Sequence, residues 1–243
     1  MPVRKLRIAD CHCDTIALFD EEGYDFTSRN RSSHLDLPRL IEGRIALQFF
    51  AVCTAPLPER RPLHAALRMI GRFHRTLDAC PSLQLIETQE DLLAAEEGDR
   101  IGALLALEGA EPLEGSVELL DIFCRLGLRA LSLTWNHRNP FADGVGEEAA
   151  AAGLTRAGRN LVEALSRKGI ILDLAHLAPR SFAEALELTS RPPLVSHANA
   201  RALCEHRRNL DDEQLKALAA RNGVIGLTLY PHFIAGREEA TLD

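Results

Sequence analysis

GIILDLAHLAPRSFAEALELTSRPPLVSH, residues 169–197, reads as strand, helix and strand, and each strand ends in a histidine. Ile170–His176 and Pro193–His197 are short, nearly continuous apolar runs, as expected of parallel strands buried on both faces. Ser181–Thr189 between them is amphipathic, and a helical crossover is what joins parallel neighbours. The same alternation extends in both directions. Further candidate strands are Leu6–Asp14, Ile45–Cys53, Ile101–Glu108, Ala130–Trp135 and Val224–Tyr230. Candidate helices are Ala65–Cys80, Ser116–Leu126, Thr155–Lys168 and Asp211–Ala220. Gly127, Gly169 and Gly223 stand at helix exits, where a left-handed residue stops the helix, and Thr155 stands where a cap begins one. Seven strands alternating with helices predict an α/β fold with a parallel sheet, and at this length the (β/α)8 TIM-like barrel is the first candidate. Seven strands leave it incomplete, with the eighth missing. There is no internal repeat and no clear linker, so residues 1–243 are expected to form a single domain. The Gly/Ala-rich stretch 137–153 is expected to be a flexible loop over the barrel mouth.

Composition narrows the function. With 243 residues and 46% hydrophobic content, the chain can bury one large core. Its net charge of −7 comes with no Lys/Arg-rich run. No nucleic-acid partner is expected, since phosphate binding needs a concentrated basic face. No apolar stretch approaches the roughly 18 residues of a membrane span. The N-terminus lacks the apolar core of a secretory signal, and the acidic C-terminus lacks a lipid-anchor tail, so no membrane association and a cytoplasmic location are expected. The six cysteines are scattered and form no disulfide framework.

The chemistry lies in where ligand-type residues fall. His12 and Asp14 close the first predicted strand, Glu108 the third, His176 the fifth and His197 the sixth. In a parallel barrel the C-terminal ends of the strands form the catalytic rim. Strand alternation would put His12 and Asp14 on one face and Cys11 and Cys13 on the other, as small buried hydrophobes. Taken singly, each residue has an ordinary structural alternative: a hydrogen-bonded rim histidine, Asp14 as a helix cap, Glu108 paired with an arginine. Together, five such residues at one end of successive strands form a mixed N/O donor set suited to zinc. They exceed the needs of one ion, so two Zn2+ bridged by Glu108 are expected, able to activate a water and polarise an amide carbonyl.

These residues carry a resemblance. DCHCDT (10–15) resembles the opening motif of the membrane (renal-type) dipeptidase family and its bacterial members. LEGAEPLEGSVELLDIFCRLGLRALSLTWNHRNPFADG (107–144), the segment 153–176 and the segment 192–230 resemble its next blocks, so the likeness covers nearly the whole chain. The resemblance implies a zinc metallopeptidase that hydrolyses dipeptides, often with a D-residue second, through a metal-bridging hydroxide. His12 and Asp14 would bind one zinc, His176 and His197 the other, and Glu108 both. Arg208 of HRRN matches the arginine that receives the substrate's C-terminal carboxylate, a task suited to a bidentate fork; its structural alternative is a surface salt bridge to Asp211 or Asp212. The family commonly forms dimers, so a homodimer is expected.

Two departures stand out. Where some members place a histidine after strand four, this chain has Trp135, which lines the substrate pocket or packs the rim. His137, two residues on, either reaches the oxyanion from the loop or is an exposed loop histidine. The family's eighth strand carries an aspartate for proton transfer, and this sequence stops at Asp243 without that motif. No catalytic acid is therefore assigned, and a truncated enzyme of lowered stability, associating through its open edge, is expected. The alternatives are a catalytically impaired metal-binding module, or another barrel amidohydrolase acting on lactams, lactones or N-acyl amino acids.

Overall fold

The computed structural model describes residues 7–31, 33–55, 61–150 and 152–241. Leu6 of the first predicted strand, Ala151 of the 137–153 loop, the extreme N-terminus and Leu242–Asp243 lie outside the described residues. In chain order the elements are β1 (Ile8–Asp10), α1 (Leu37–Glu42), β2 (Ile45–Cys53), α2 (Pro62–Ala79), β3 (Leu83–Leu85), α3 (Gln89–Glu97) and β4 (Ile101–Glu108). They continue as α4 (Leu119–Arg125), β5 (Leu128–Ser132), α5 (Arg156–Lys168), β6 (Ile171–Asp173), α6 (Pro179–Leu188), β7 (Leu194–Ala198), α7 (Asp212–Ala220), β8 (Val224–Leu227) and α8 (Pro231–Ala235).

The chain divides into two compact units, one running to Leu107 with Asp121–Arg129, the other holding Glu108–Leu120 and the chain from Ala130 on. In the first, β1 pairs with β2, and β3 pairs with β4, both parallel. Residues 48–52 of β2 are buried in succession, so both faces of this strand are covered. On α2, Ala65, Ala66, Met69, Ile70 and Phe73 form the buried stripe, at the spacing of one helical face. Phe73 and Phe50 meet with ring centroids 5.5 Å apart, and Phe50 meets Phe26 at 6.0 Å. Truncating a ring in such a cluster costs about 3–5 kcal/mol.

The second unit orders its strands β5-β6-β7-β8, again all parallel. Thr155 caps α5 by accepting from the Gly158 amide at 3.0 Å, and Gly169 ends the helix in the left-handed region. Leu161, Val162, Ala164 and Leu165 of α5 and Phe182, Ala185 and Leu186 of α6 are buried.

Several expectations change in detail. β1 stops at Asp10, because the Asp10 carboxylate accepts from the His12 amide at 3.1 Å and turns the chain out of the strand. His12 and Asp14 therefore follow β1 in irregular backbone, and strict strand alternation does not govern them. Asp14 precedes a short 3-10 turn without capping it through its side chain. The Cys13 thiol is nevertheless enclosed, and burial pushes its pKa up to about 12, as for an inert buried thiol. At the predicted exit RNG, Asn222 rather than Gly223 takes the left-handed conformation. β3, α1, α3 and α8 are additional elements: α3 buries only Ala95, so it has no apolar stripe to read, and a Thr88–Asp91 capping box fixes its start.

The loop expected to be flexible is pinned. Asn139 Nδ2 donates to the Leu133 carbonyl at 2.7 Å, while its Oδ1 accepts from Phe141 N. The buried Asp143 carboxylate accepts from the Arg138 guanidinium and from the amides of Ala152 and Gly153. Gly144 forms an antiparallel bridge with Leu177.

Candidate metal centre

Within the second unit, the polar groups converge where strands end. Glu108, at the end of β4, is buried, and its Oε1 lies 2.8 Å from His176 Nε2 and 3.6 Å from His197 Nε2. The two imidazole Nε2 atoms are 3.0 Å apart. His176 lies three residues beyond β6, and His197 lies within β7. The path to His176 is bent by Asp173, whose Oδ1 accepts from Ala175 N and Ser196 N, each at 3.0 Å. That one buried carboxylate thus ties the histidine-bearing ends of β6 and β7 together. His176 itself has φ +68, a left-handed conformation that costs a non-glycine residue roughly 1–2 kcal/mol. Strain of this kind gathers at functional sites.

Hydrogen bonds on the far side of each ring set the tautomers. Asn136 Oδ1 lies 2.8 Å from His176 Nδ1. An amide oxygen only accepts, so Nδ1 carries a proton, and in the neutral ring Nε2 is then the nitrogen with the lone pair. His197 Nε2 accepts from an Arg208 N–H at 2.8 Å, so its Nδ1 holds the proton and faces Ser196 Oγ at 2.8 Å. Two imidazole nitrogens and a carboxylate oxygen therefore meet in one small volume, with Arg208 donating to the nitrogen of His197. Two imidazoles and a carboxylate so placed form an N/O ligand set of zinc type. The residues present fit a divalent ion.

Arg208 is buried, not a surface partner of Asp211, whose side chain instead caps α7 in a box with Gln214. Burial lowers the Arg208 pKa to about 10, opposed by the charges of Glu108 and Asp173. It remains a guanidinium at neutral pH, stacked 5.5 Å over the Phe233 ring. Trp135 is half-buried and lies with its ring 6.1 Å from that of His176. His137 is exposed, with Nδ1 3.6 Å from Glu147 Oε1. Burial, and the nearby Glu108, push the Glu111 carboxyl upward, while Asn139 Nδ2 donates to it at 3.1 Å.

In the first unit, His12 Nε2 lies 3.5 Å from Asp14 Oδ2, the imidazole largely buried and the carboxylate largely exposed. Sequence reasoning missed Asn136, Asp173 and Ser196. For Asp173 the signal was present, as a carboxylate inside the apolar run ILDLA; for Asn136 and Ser196 there was none beyond adjacency to other candidates. Among the described residues no helix is long and apolar enough to cross a membrane.

Comparison with known proteins agrees with this chemistry. The model of the membrane dipeptidase family matches residues 3–243. Dipeptidase aclJ of Aspergillus oryzae is 30% identical over 82% of this chain and 50% of its own length. Mouse Dipeptidase 3 is 29% identical over 87% of this chain and 44% of its own. The chain thus spans about half the length of these curated relatives. A metallo peptidase from Rhodobacter sphaeroides, solved with a phosphinate mimic of the dipeptide L-Ala-D-Ala, superposes with TM-score 0.87 at 28% identity, covering 96% of this chain and 76% of that one. Dipeptidase AC, a metallo peptidase of family M19, gives TM-score 0.85 at 28% identity over 98% and 75%. The fold accordingly matches the TIM-like barrel of these structures, with parallel strands alternating with helices. The chain belongs to the membrane dipeptidase family, peptidase family M19.

Proposed function

We propose that this chain is a metal-dependent dipeptidase. The observation that carries the reading is the convergence of buried Glu108 and His176 with His197, their ligand atoms within 3.6 Å of one another and a guanidinium beside them. His176, His197 and Glu108 would hold one zinc ion, and by the family resemblance His12 and Asp14 would hold another. Bound metal supplies a low-pKa water and polarises the scissile carbonyl.

The chain's own residues do the rest. Arg208 receives the C-terminal carboxylate of the dipeptide through its fork, and burial strengthens that pairing relative to water. A peptide-bond substrate so anchored presents its amide to the Glu108 end of the cluster. Trp135 walls the pocket beside His176. A D-residue in second position is accepted, as the phosphinate mimic bound by the Rhodobacter sphaeroides protein illustrates for that relative. A homodimer and a cytoplasmic location belong to the same reading and rest on the resemblance and the composition.

The test is hydrolysis of L,L- and L,D-dipeptides beside N-acyl amino acids and lactams, using chelator-stripped and zinc-reloaded protein. Zinc-restored turnover confined to dipeptides supports the proposal. Turnover of lactams or N-acyl amino acids alone makes the chain a different amidohydrolase. Zinc binding without any turnover makes it a metal-binding module.

A further inference from the structure

The His176 ring is held at the nitrogen facing away from Glu108 and His197. Asn136 Oδ1 accepts there at 2.8 Å, which puts a proton on Nδ1 and turns Nε2 toward the cluster. Asn136 is itself clamped. The Gly146 amide donates to its carbonyl at 2.7 Å, and a Cβ on Gly144 would stand 2.4 Å from its carbonyl carbon. Gly144 and Gly146 thus let the returning chain approach Asn136 more closely than any side chain allows. The same segment reaches His176 from its backbone side: Val145 N donates to the His176 carbonyl at 2.7 Å, beside the Gly144–Leu177 bridge. One stretch, 136–146, therefore holds His176 by both its ring and its left-handed backbone.

We propose that Asn136 is a positioning residue that fixes the tautomer and orientation of His176 as a metal ligand; this rests on the metal-centre reading above. Groups that accept from the outer nitrogen of a ligating histidine set its ring and raise its basicity, and their loss typically weakens metal binding about 10–100-fold. A merely structural amide would act on folding instead.

The experiment compares zinc affinity, by competition with a chromophoric chelator, in wild type, Asn136→Leu and Asn136→Asp, with thermal unfolding of each zinc-free protein. Asn136→Leu removes the acceptor at similar size, while Asn136→Asp retains it. The expected result is about 10–100-fold weaker binding of one ion in Asn136→Leu, near-wild-type binding in Asn136→Asp, and similar unfolding temperatures for all three. Equal zinc affinity in wild type and Asn136→Leu overturns the inference, as does equal weakening in both variants. Should Asn136→Leu not fold, 15N NMR of the zinc-free wild type decides: a proton on Nδ1 of His176, assigned against His176→Gln, supports the inference, and one on Nε2 overturns it. A wild type that binds no zinc defeats the metal-centre reading itself.

Discussion

The two groups of ligand-type residues are built differently. In the first unit, His12 and Asp14 sit in irregular backbone after a three-residue strand, 3.5 Å apart, and most of the Asp14 carboxylate faces solvent. In the second, Glu108, His176 and His197 are held at strand ends, their rings fixed by Asn136 and Ser196 and their backbones joined by Asp173. A preorganised donor set loses little conformational freedom on binding, whereas a partly solvated pair must be ordered first. If both groups bind metal as proposed, the difference predicts positions of unequal strength, the tighter in the second unit.

The largest effect expected is from His176→Ala or Glu108→Ala. Each should abolish the tight zinc position, with affinity there falling by more than the roughly hundredfold loss typical of outer-shell changes. Metal content after dialysis and dipeptide turnover both report it. Asp14→Ala should strip only the weaker position, leaving the tight ion in place; loss of both ions in that variant would erase the contrast between the groups. Arg208→Lys keeps the charge and loses the fork. KM should rise about tenfold or more with a smaller change in kcat, as for an interaction made in the ground state.

The loop that carries Asn136 gives a pH-dependent check. Burial alone would raise the Asp143 carboxyl, but Arg138 and the Ala152 and Gly153 amides outweigh it and hold the pKa below its ordinary 3.8. A depressed carboxylate stabilises the fold above its unfolded pKa, and that contribution is lost as pH falls through the folded value. Asp143→Asn should cost about 1–3 kcal/mol near neutrality, with the gap from wild type closing below pH 3.8 in unfolding curves. The smallest effect is Thr155→Ala, which removes the α5 cap for about 1 kcal/mol without changing metal binding.

Much of this was readable in the chain because buried parallel strands write themselves as apolar runs. β2 and β4 lie at the expected residues, and Glu108, His176 and His197 stand at or just past the ends of such runs. What escaped depended on single side chains turning the backbone. Asp10 captures the His12 amide and shortens β1. Asp173 ends β6 early and sets up the left-handed His176. The loop 137–153 looked flexible because Gly and Ala dominate it, yet its glycines permit close approach to Asn136, and Asp143 and Asn139 tie it down. α3 was invisible to an apolar pattern because only Ala95 is buried.

The most direct test of the central claim is a calorimetric zinc titration of the chelator-stripped wild-type chain. Two ions per chain in two affinity classes are expected, the tighter abolished by His176→Ala and the weaker by Asp14→Ala. A chain that binds no zinc, or one whose tight class survives loss of His176, contradicts that claim.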